Sequence, residues 1–322
     1  MAVGLGQRAA LVEQARQTIA VGSKSFAAAS RLFDRETRER VWLLYAWCRA
    51  CDDLADAQDM GGTLGDQAGA QGRFALIHQR TAMALAGEAT GDPAFDALAV
   101  VAAECGITKA HTDDVIAGFA LDAAGWRPQS AADMLGYCFH VAGAVGVVMA
   151  LVMGVAPGDD DTLDRACDLG MAFQLGNIMR DVAEDAAGGR CYLPADWLAA
   201  AGMGEGEVLD LPHRPALVGM VQRMGEMAAA YEASAKVGAG RLPFRCRWAV
   251  LAAAGIYGGI ARGVMRAGDA AWDARVTTST WAKLGYVAKA GWQALLPAPR
   301  GAGPVAMRRG ELVAAMARFQ GV

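Results

Sequence analysis

Along most of the chain, apolar residues recur every third or fourth position, in stretches rich in Ala, Leu and Met whose ends carry Gly, Pro or Asp. That period is helical, and the short alternating runs that mark strands are scarce. The pattern predicts helices over about 7–21, 36–58, 72–88, 94–105, 110–123, 131–154, 161–186, 215–238, 247–268, 279–294 and 310–319. Several have start signals: Asp92 before Pro93, and Ser130 with Asp133 three residues on. Asp159, Asp160 and Asp161 open another, where acids suit the positive helix end. Gly188-Gly189 closes that helix, and Gly61-Gly62 reads as a loop. No repeat recurs, and no linker is long enough to divide the chain. The stretch LPAPRGAGPV (296–305) tethers a last short helix. The expectation is one all-α domain over 1–322, with tether and short helix at about 296–322.

Composition narrows the picture. Hydrophobic residues make up 54% and charged ones 20%, enough for a large core and too apolar for wholesale disorder. The net charge of −4 argues against a general nucleic-acid binder. The seven Cys are scattered. Cys48 and Cys51 form a CxxC with no second pair at zinc spacing, so they read as buried free thiols of a reducing cytosol. The N-terminus, MAVGLGQRAALVEQARQ, lacks the long apolar core of a signal peptide. The longest apolar run, Val141–Pro157, is shorter than the ~20 residues of a membrane span and reads as a core helix.

Against this background the stretch CDDLADAQD (51–59) stands out. On a helix, Asp52 and Asp56 lie one turn apart on one face, where like charges repel. Either water bathes that face or a cation sits between the carboxylates. A second stretch, QLGNIMRDVAED (174–185), repeats the spacing in Asp181 and Asp185, with Asn177 one turn earlier. Both follow apolar segments. If the two helices face each other, their carboxylates line one cavity. Oxygen donors without His or Cys suit a hard ion, Mg²⁺ or Mn²⁺, held jointly with substrate phosphates.

Cations and donors for such phosphates are present. GSKSF (22–26) offers Ser23, Lys24 and Ser25, though without the Gly spacing of a Walker loop. Arg49 precedes the first acidic turn by three residues, and Arg180 borders the second. The helix YCFHVAGAVGVVMALVMG (137–154) carries Ala142, Gly143, Ala144, Gly146 and Ala150. These leave room for a neighbouring helix or for a long apolar ligand. His140 reads as a hydrogen-bonded core residue rather than a catalyst.

YAWCRACDDLADAQD, NIMRDVAEDAAGGRCYLP and GSKSF resemble the squalene/phytoene synthase family, in order and over about residues 20–290. GRCYLPADWL and AWDARVTTSTWAKL resemble its phytoene branch, as found in bacteria, more than its squalene or dehydrosqualene branches. The resemblance implies a single-domain isoprenoid-synthase helical bundle with a central cavity. It also implies a head-to-head condensation of two geranylgeranyl diphosphates through prephytoene diphosphate to 15-cis-phytoene, with Mg²⁺ or Mn²⁺ and without NADPH. The alternatives are a C30 synthase of the same family using farnesyl diphosphate, a head-to-tail prenyltransferase or terpene cyclase, and a non-catalytic assembly protein on this fold.

By that resemblance Asp52, Asp56, Asp181 and Asp185 hold the ions, with Asn177 as a further oxygen ligand. Asp53 completes the metal-binding motif but points about 100° away from Asp52, behind the ligands. Ser23, Lys24, Ser25, Arg49, Gln174 and Arg180 match positions that contact diphosphate. Tyr45 and Tyr137 match polar pocket positions. Tyr257 and Arg275 match positions near the departing diphosphate. Gly22 stands where some members carry His, so one diphosphate contact is absent. Ions and Arg would stabilise the leaving diphosphate, and an apolar cavity would keep water from the carbocation. The product is very apolar, so a cytoplasmic enzyme in peripheral contact with the membrane is expected, with hand-off to phytoene desaturase.

Overall fold

The helical period is realised as helices throughout. No strand occurs among the described residues, which are 5–23, 27, 29–58 and 69–316 of the computed structural model. The chain resolves into two compact units, residues 1–124 with 147–159, and residues 125–146 with 160–322.

In the first unit, helix α1 is Leu5–Gly22, α2 Arg35–Asp56, α3 Ala70–Leu85, α4 Pro93–Cys105 and α5 Lys109–Ala123. Helix α2 is the hub and packs on the other four. Asp34 starts it, accepting from the Thr37 amide at 2.9 Å. Its stripe Val41, Leu44, Trp47, Cys51 and Ala55 is fully buried, each large member stabilising the fold by about 1.5–3 kcal/mol. The Trp47 indole donates to the Thr81 hydroxyl at 3.3 Å, and Trp47→Ala would cost about 3–5 kcal/mol. Helix α4 starts as its sequence predicts: Asp92 accepts from the Ala94 amide at 3.0 Å, with Pro93 at the first helical position.

In the second unit, α6 is Ala131–Cys138, followed by a π turn (Phe139–Gly143) and α7, Ala144–Val152, whose residues from Val147 belong to the first unit. Then come α8 Asp160–Ala187, α9 Ala195–Ala200, α10 Arg214–Ala239, α11 Phe244–Ala267, α12 Thr280–Leu295 and α13 Arg309–Met316. Helix α8 is the hub, packed on α6, the π turn, α10, α11 and α13. An added Cβ at Gly170 would run into the Ala142 carbonyl, and one at Gly146 into the Ala166 carbonyl. At these positions the small residues of 137–154 serve close helix packing.

Ser130 and Asp133 form the expected capping box, with the Ser130 amide donating to Asp133 at 2.9 Å. Gly189, at φ 69°, follows the end of α8 as expected. Three features differ from the sequence pattern. The expected helix 131–154 widens into the π turn where Gly143 closes against α8. Helix α11 begins earlier, directly after Pro243, whose fixed φ suits an entry. Helix α9, six residues long, is too short to show a period; its Ala195 amide donates to the Pro128 carbonyl at 2.9 Å. The last expected helix is seen to Met316, and its end lies outside the described residues.

None of the seven Cys forms a disulfide, and five are buried. Burial pushes the Cys48 thiol up to about 12 and Cys105 up to about 11, which keeps both protonated and unreactive. Among the described residues, two stretches are long and apolar enough to cross a membrane. Ala131–Val152 has 72% of its apolar window buried, as a core helix does, whereas Phe244–Trp272 has 33%.

Candidate active site

The first acidic motif occupies the last two turns of α2. Its apolar stripe ends at Ala55, and Asp52, Asp53 and Asp56 lie beside that stripe, half-buried. Ala57, in the left-handed region at φ 51°, stops the helix there. Three carboxylates therefore sit at a helix C-terminus, the end where the backbone already presents negative charge. The Arg49 guanidinium stands against them. Arg49 donates to Asp52 Oδ2 at 2.6 Å and lies 3.8 Å from Asp53 Oδ1. It also lies 5.9 Å from the centre of the Tyr45 ring, one turn earlier. Burial pushes the Asp52 carboxyl up to about 6; Arg49 opposes the shift, while Asp56, Asp53 and Asp122 add to it. Asp56 accepts from Gln58 Nε2 at 3.4 Å.

The second motif occupies the last turns of α8, again a C-terminal end. Gln174, Asn177, Asp181 and Asp185 share one helix face. Asn177 Nδ2 donates to Gln174 Oε1 at 3.2 Å. Asp181 is held from two sides: Arg180 Nε reaches its Oδ1 at 2.6 Å with a second contact from Nη2 to Oδ2, and Arg275 Nη2 donates to Oδ1 at 2.8 Å. Arg275 also lies 3.7 Å from Glu184. The Arg180 guanidinium is held charged, first by its hydrogen bonds to Asp181. Tyr257, 41% exposed, stacks on Phe173 at 4.4 Å. Tyr137 is buried and stacks on Tyr192 at 4.6 Å and Trp126 at 5.9 Å.

Of the GSKSF segment, Ser23 continues α1: its amide donates to the Ile19 carbonyl at 3.0 Å and its carbonyl accepts from Ala27 at 2.8 Å. Lys24 and Ser25 lie outside the described residues. Sequence reasoning missed Phe173, Trp126, Tyr192 and Asp122 as neighbours of its candidates. Tyr192 lies within the RCYLP stretch that carries the family resemblance. The others have no local mark.

Among the described residues, no three His, Cys, Asp or Glu side chains converge into a group that could hold a metal ion. Each motif by itself offers donors suited to a hard cation, carboxylates in the first and carboxylates with an amide in the second, at a helix end of negative potential. Such donors fit Mg²⁺ or Mn²⁺ whose other positions are filled by water or phosphate oxygens.

The family profile described as squalene/phytoene synthase matches residues 19–282. The chain belongs to the squalene/phytoene synthase family. It is 46% identical over 277 residues to a 15-cis-phytoene synthase of Enterobacter agglomerans, covering 85% of this chain and 93% of that one. It is 42% identical to a 15-cis-phytoene synthase of Paracoccus sp. (strain N81106 / MBIC 01143), covering 91% and 95%. Among solved structures it resembles a dehydrosqualene synthase determined in complex with a ligand, with TM-score 0.78, 25% identity and coverage of 89% and 98%. A squalene synthase, HpnC, from Alicyclobacillus acidocaldarius matches with TM-score 0.72 at 23% identity, covering 83% and 97%. The fold is thus the all-α isoprenoid-synthase fold.

Proposed function

We propose that this protein is a 15-cis-phytoene synthase, condensing two geranylgeranyl diphosphates head to head through prephytoene diphosphate. The observation that carries the reading is identity of 42–46% to proteins of that name over most of both chains, together with two complete acidic motifs. Both motifs are needed in the one reaction, so the chain works as one catalytic domain. Asp52, Asp56, Asn177, Asp181 and Asp185, with Asp53 behind them, are the residues suited to hold Mg²⁺ or Mn²⁺. When bound, the ions supply positive charge against which diphosphate leaves.

The chain's own groups do the rest. Arg49, Arg180, Gln174, Ser23, Lys24 and Ser25 bind and orient diphosphate oxygens. Arg275, exposed and already on Asp181, can exchange that partner for the leaving group. Tyr257 offers an aromatic face, which stabilises nearby positive charge, and a hydroxyl. Tyr45 and Tyr137 supply polar contacts in the pocket. The enzyme works in the cytoplasm at the membrane surface and hands phytoene to a desaturase.

The test is purified protein with Mg²⁺ and a mixture of farnesyl and geranylgeranyl diphosphates, read by product mass. A C40 product made from the C20 substrate, lost with EDTA, is expected. A C30 product assigns the chain to the farnesyl-using branch, and an obligatory need for isopentenyl diphosphate overturns the head-to-head chemistry.

A further inference from the structure

The α11–α12 hairpin carries two features that the reaction does not use. The first is an apolar stripe turned to solvent. Trp281 is 84% exposed, Leu284 55%, Trp292 65% and Leu295 68%, and with Ala288 their spacing places them on one helix face. Leu296 and Phe244 extend it. Arg247 Nη2 donates to the Leu296 carbonyl at 2.7 Å, bringing the start of α11 to the end of α12. The second feature is charge. Across the hairpin, Phe244–Leu295, the chain has 7 Lys or Arg and 2 acids, Asp269 and Asp273, so 7 − 2 = +5, within a chain of net −4.

A cavity of about 230 Å³ adjoins the stripe on the same helix. Tyr286, Lys289 and Gln293 line it from α12, and Glu232, Lys236 and Arg262 from α10 and α11. Glu232 accepts from Lys236 at 2.6 Å and Arg262 at 2.9 Å. With Lys289, three cations face one carboxylate. None of these residues belongs to the acidic motifs or their arginines.

We infer that this face docks on an anionic phospholipid bilayer, the stripe entering the headgroup–acyl boundary and the cavity receiving a lipid phosphate. An amphipathic helix with Trp and Leu on one side and Lys beside them binds at that depth, and basic residues near it are attracted to anionic headgroups. A second copy of this chain fits less well, because a two-fold contact would set one +5 hairpin against another. The inference deepens the membrane reading above and does not depend on which diphosphate is consumed.

The experiment is co-sedimentation of the full chain with phosphatidylcholine vesicles, with and without phosphatidylglycerol, at low and high salt. Binding to the phosphatidylglycerol vesicles that weakens with salt is expected. The variant Trp281→Ser/Trp292→Ser should bind about tenfold more weakly, and Lys289→Glu about fivefold or more, on the anionic vesicles only. Unchanged thermal melting and unchanged turnover on detergent-dispersed geranylgeranyl diphosphate show that the variants fold. Equal binding by wild type and the Trp variant overturns the inference, as does equal binding to both vesicle types. So does light scattering in which the Trp variant splits a wild-type dimer. Docking without any turnover would sink the enzyme reading instead and leave this one standing.

Discussion

Helix α8 carries acids at both ends, and the two ends differ in what surrounds them. At the N-terminal end Asp160, Asp164 and Asp168 are spaced four apart, as Asp181 and Asp185 are at the other. Arg309 spans the first two, at 2.8 Å to Asp160 and 2.6 Å to Asp164, and Arg308 lies 3.9 Å from Asp168. Asp160 and Asp164 sit near the end where the helix dipole favours them, and Arg309 at the start of α13 pairs with both. Asp181 and Asp185 sit where the dipole disfavours them, and Arg275, one of Asp181's two partners, is half exposed. The α2 motif repeats this second pattern, with Arg49 against Asp52. Spacing of four therefore does not single out the acids proposed to hold the ions; their place at the unfavourable end of a helix does.

The sharpest way to break the comparison is to neutralise one acid at each end. Asp181→Asn and Asp52→Asn should each lower kcat about 10²–10³-fold, or about 3–4 kcal/mol in the barrier. Asp164→Asn should leave kcat within twofold of wild type, an about 0.4 kcal/mol difference. Steady-state diphosphate release at saturating Mg²⁺ measures all three. If Asp164→Asn matches Asp181→Asn, helix polarity is not what separates the two ends.

The next effect concerns Asp168, which is 1% exposed. Burial pushes its carboxyl up to about 6, against the pull of the Ser234 hydroxyl and Arg308. Asp164 adds to the shift and Arg165 opposes it. A raised folded pKa favours the protonated acid, so this group's stabilisation is complete below the unfolded value and is lost as pH rises through about 6. About two pK units correspond to about 2–3 kcal/mol. Asp168→Asn cannot ionise. It should melt above wild type at pH near 7.5, by several degrees, with the gap narrowing as pH falls below about 6 and closing only near the unfolded carboxyl value. A gap that ignores pH would remove Asp168 as its source. A raised carboxyl is thus no mark of a cation site by itself, since Asp168 and Asp52 share it.

What could be read in the sequence was local. Helix periods, the Asp92 and Ser130 caps and the Gly189 stop are set by residues within a turn or two, and they stand where the pattern put them. Both acidic turns were legible too, but so was their spacing in Asp160, Asp164 and Asp168, which drew no notice. What distinguishes these is contact over distance: Arg309 reaches Asp164 across 145 positions, and Arg275 reaches Asp181 across 94. The π turn depends on how Gly143 and Gly170 meet, which no local pattern encodes. The exposed stripe of α12 was equally hidden, because a period shows that a helix has an apolar side, not whether anything covers it.

The smallest effects form a reciprocal pair of variants. Arg275 is half exposed, so its ion pairs with Asp181 and Glu184 are screened and contribute little to stability, about 0–1 kcal/mol. Its proposed role is to meet the departing diphosphate. Arg275→Ala should keep the melting temperature within about 2 °C while turnover falls about tenfold. Arg309 is the opposite case. It is mostly covered, 21% exposed, and joins α13 to α8 through two carboxylates. Its loss frees the last helix and leaves Asp160 and Asp164 facing each other, at a cost of about 1 kcal/mol. Arg309→Ala should therefore lower the melting temperature by about 2–4 °C and leave turnover alone. Differential scanning fluorimetry and diphosphate release, run on both proteins, separate the two cases. A crossed result, with Arg309→Ala slow and Arg275→Ala unstable, would mean that the N-terminal acids serve the reaction and the C-terminal ones the fold.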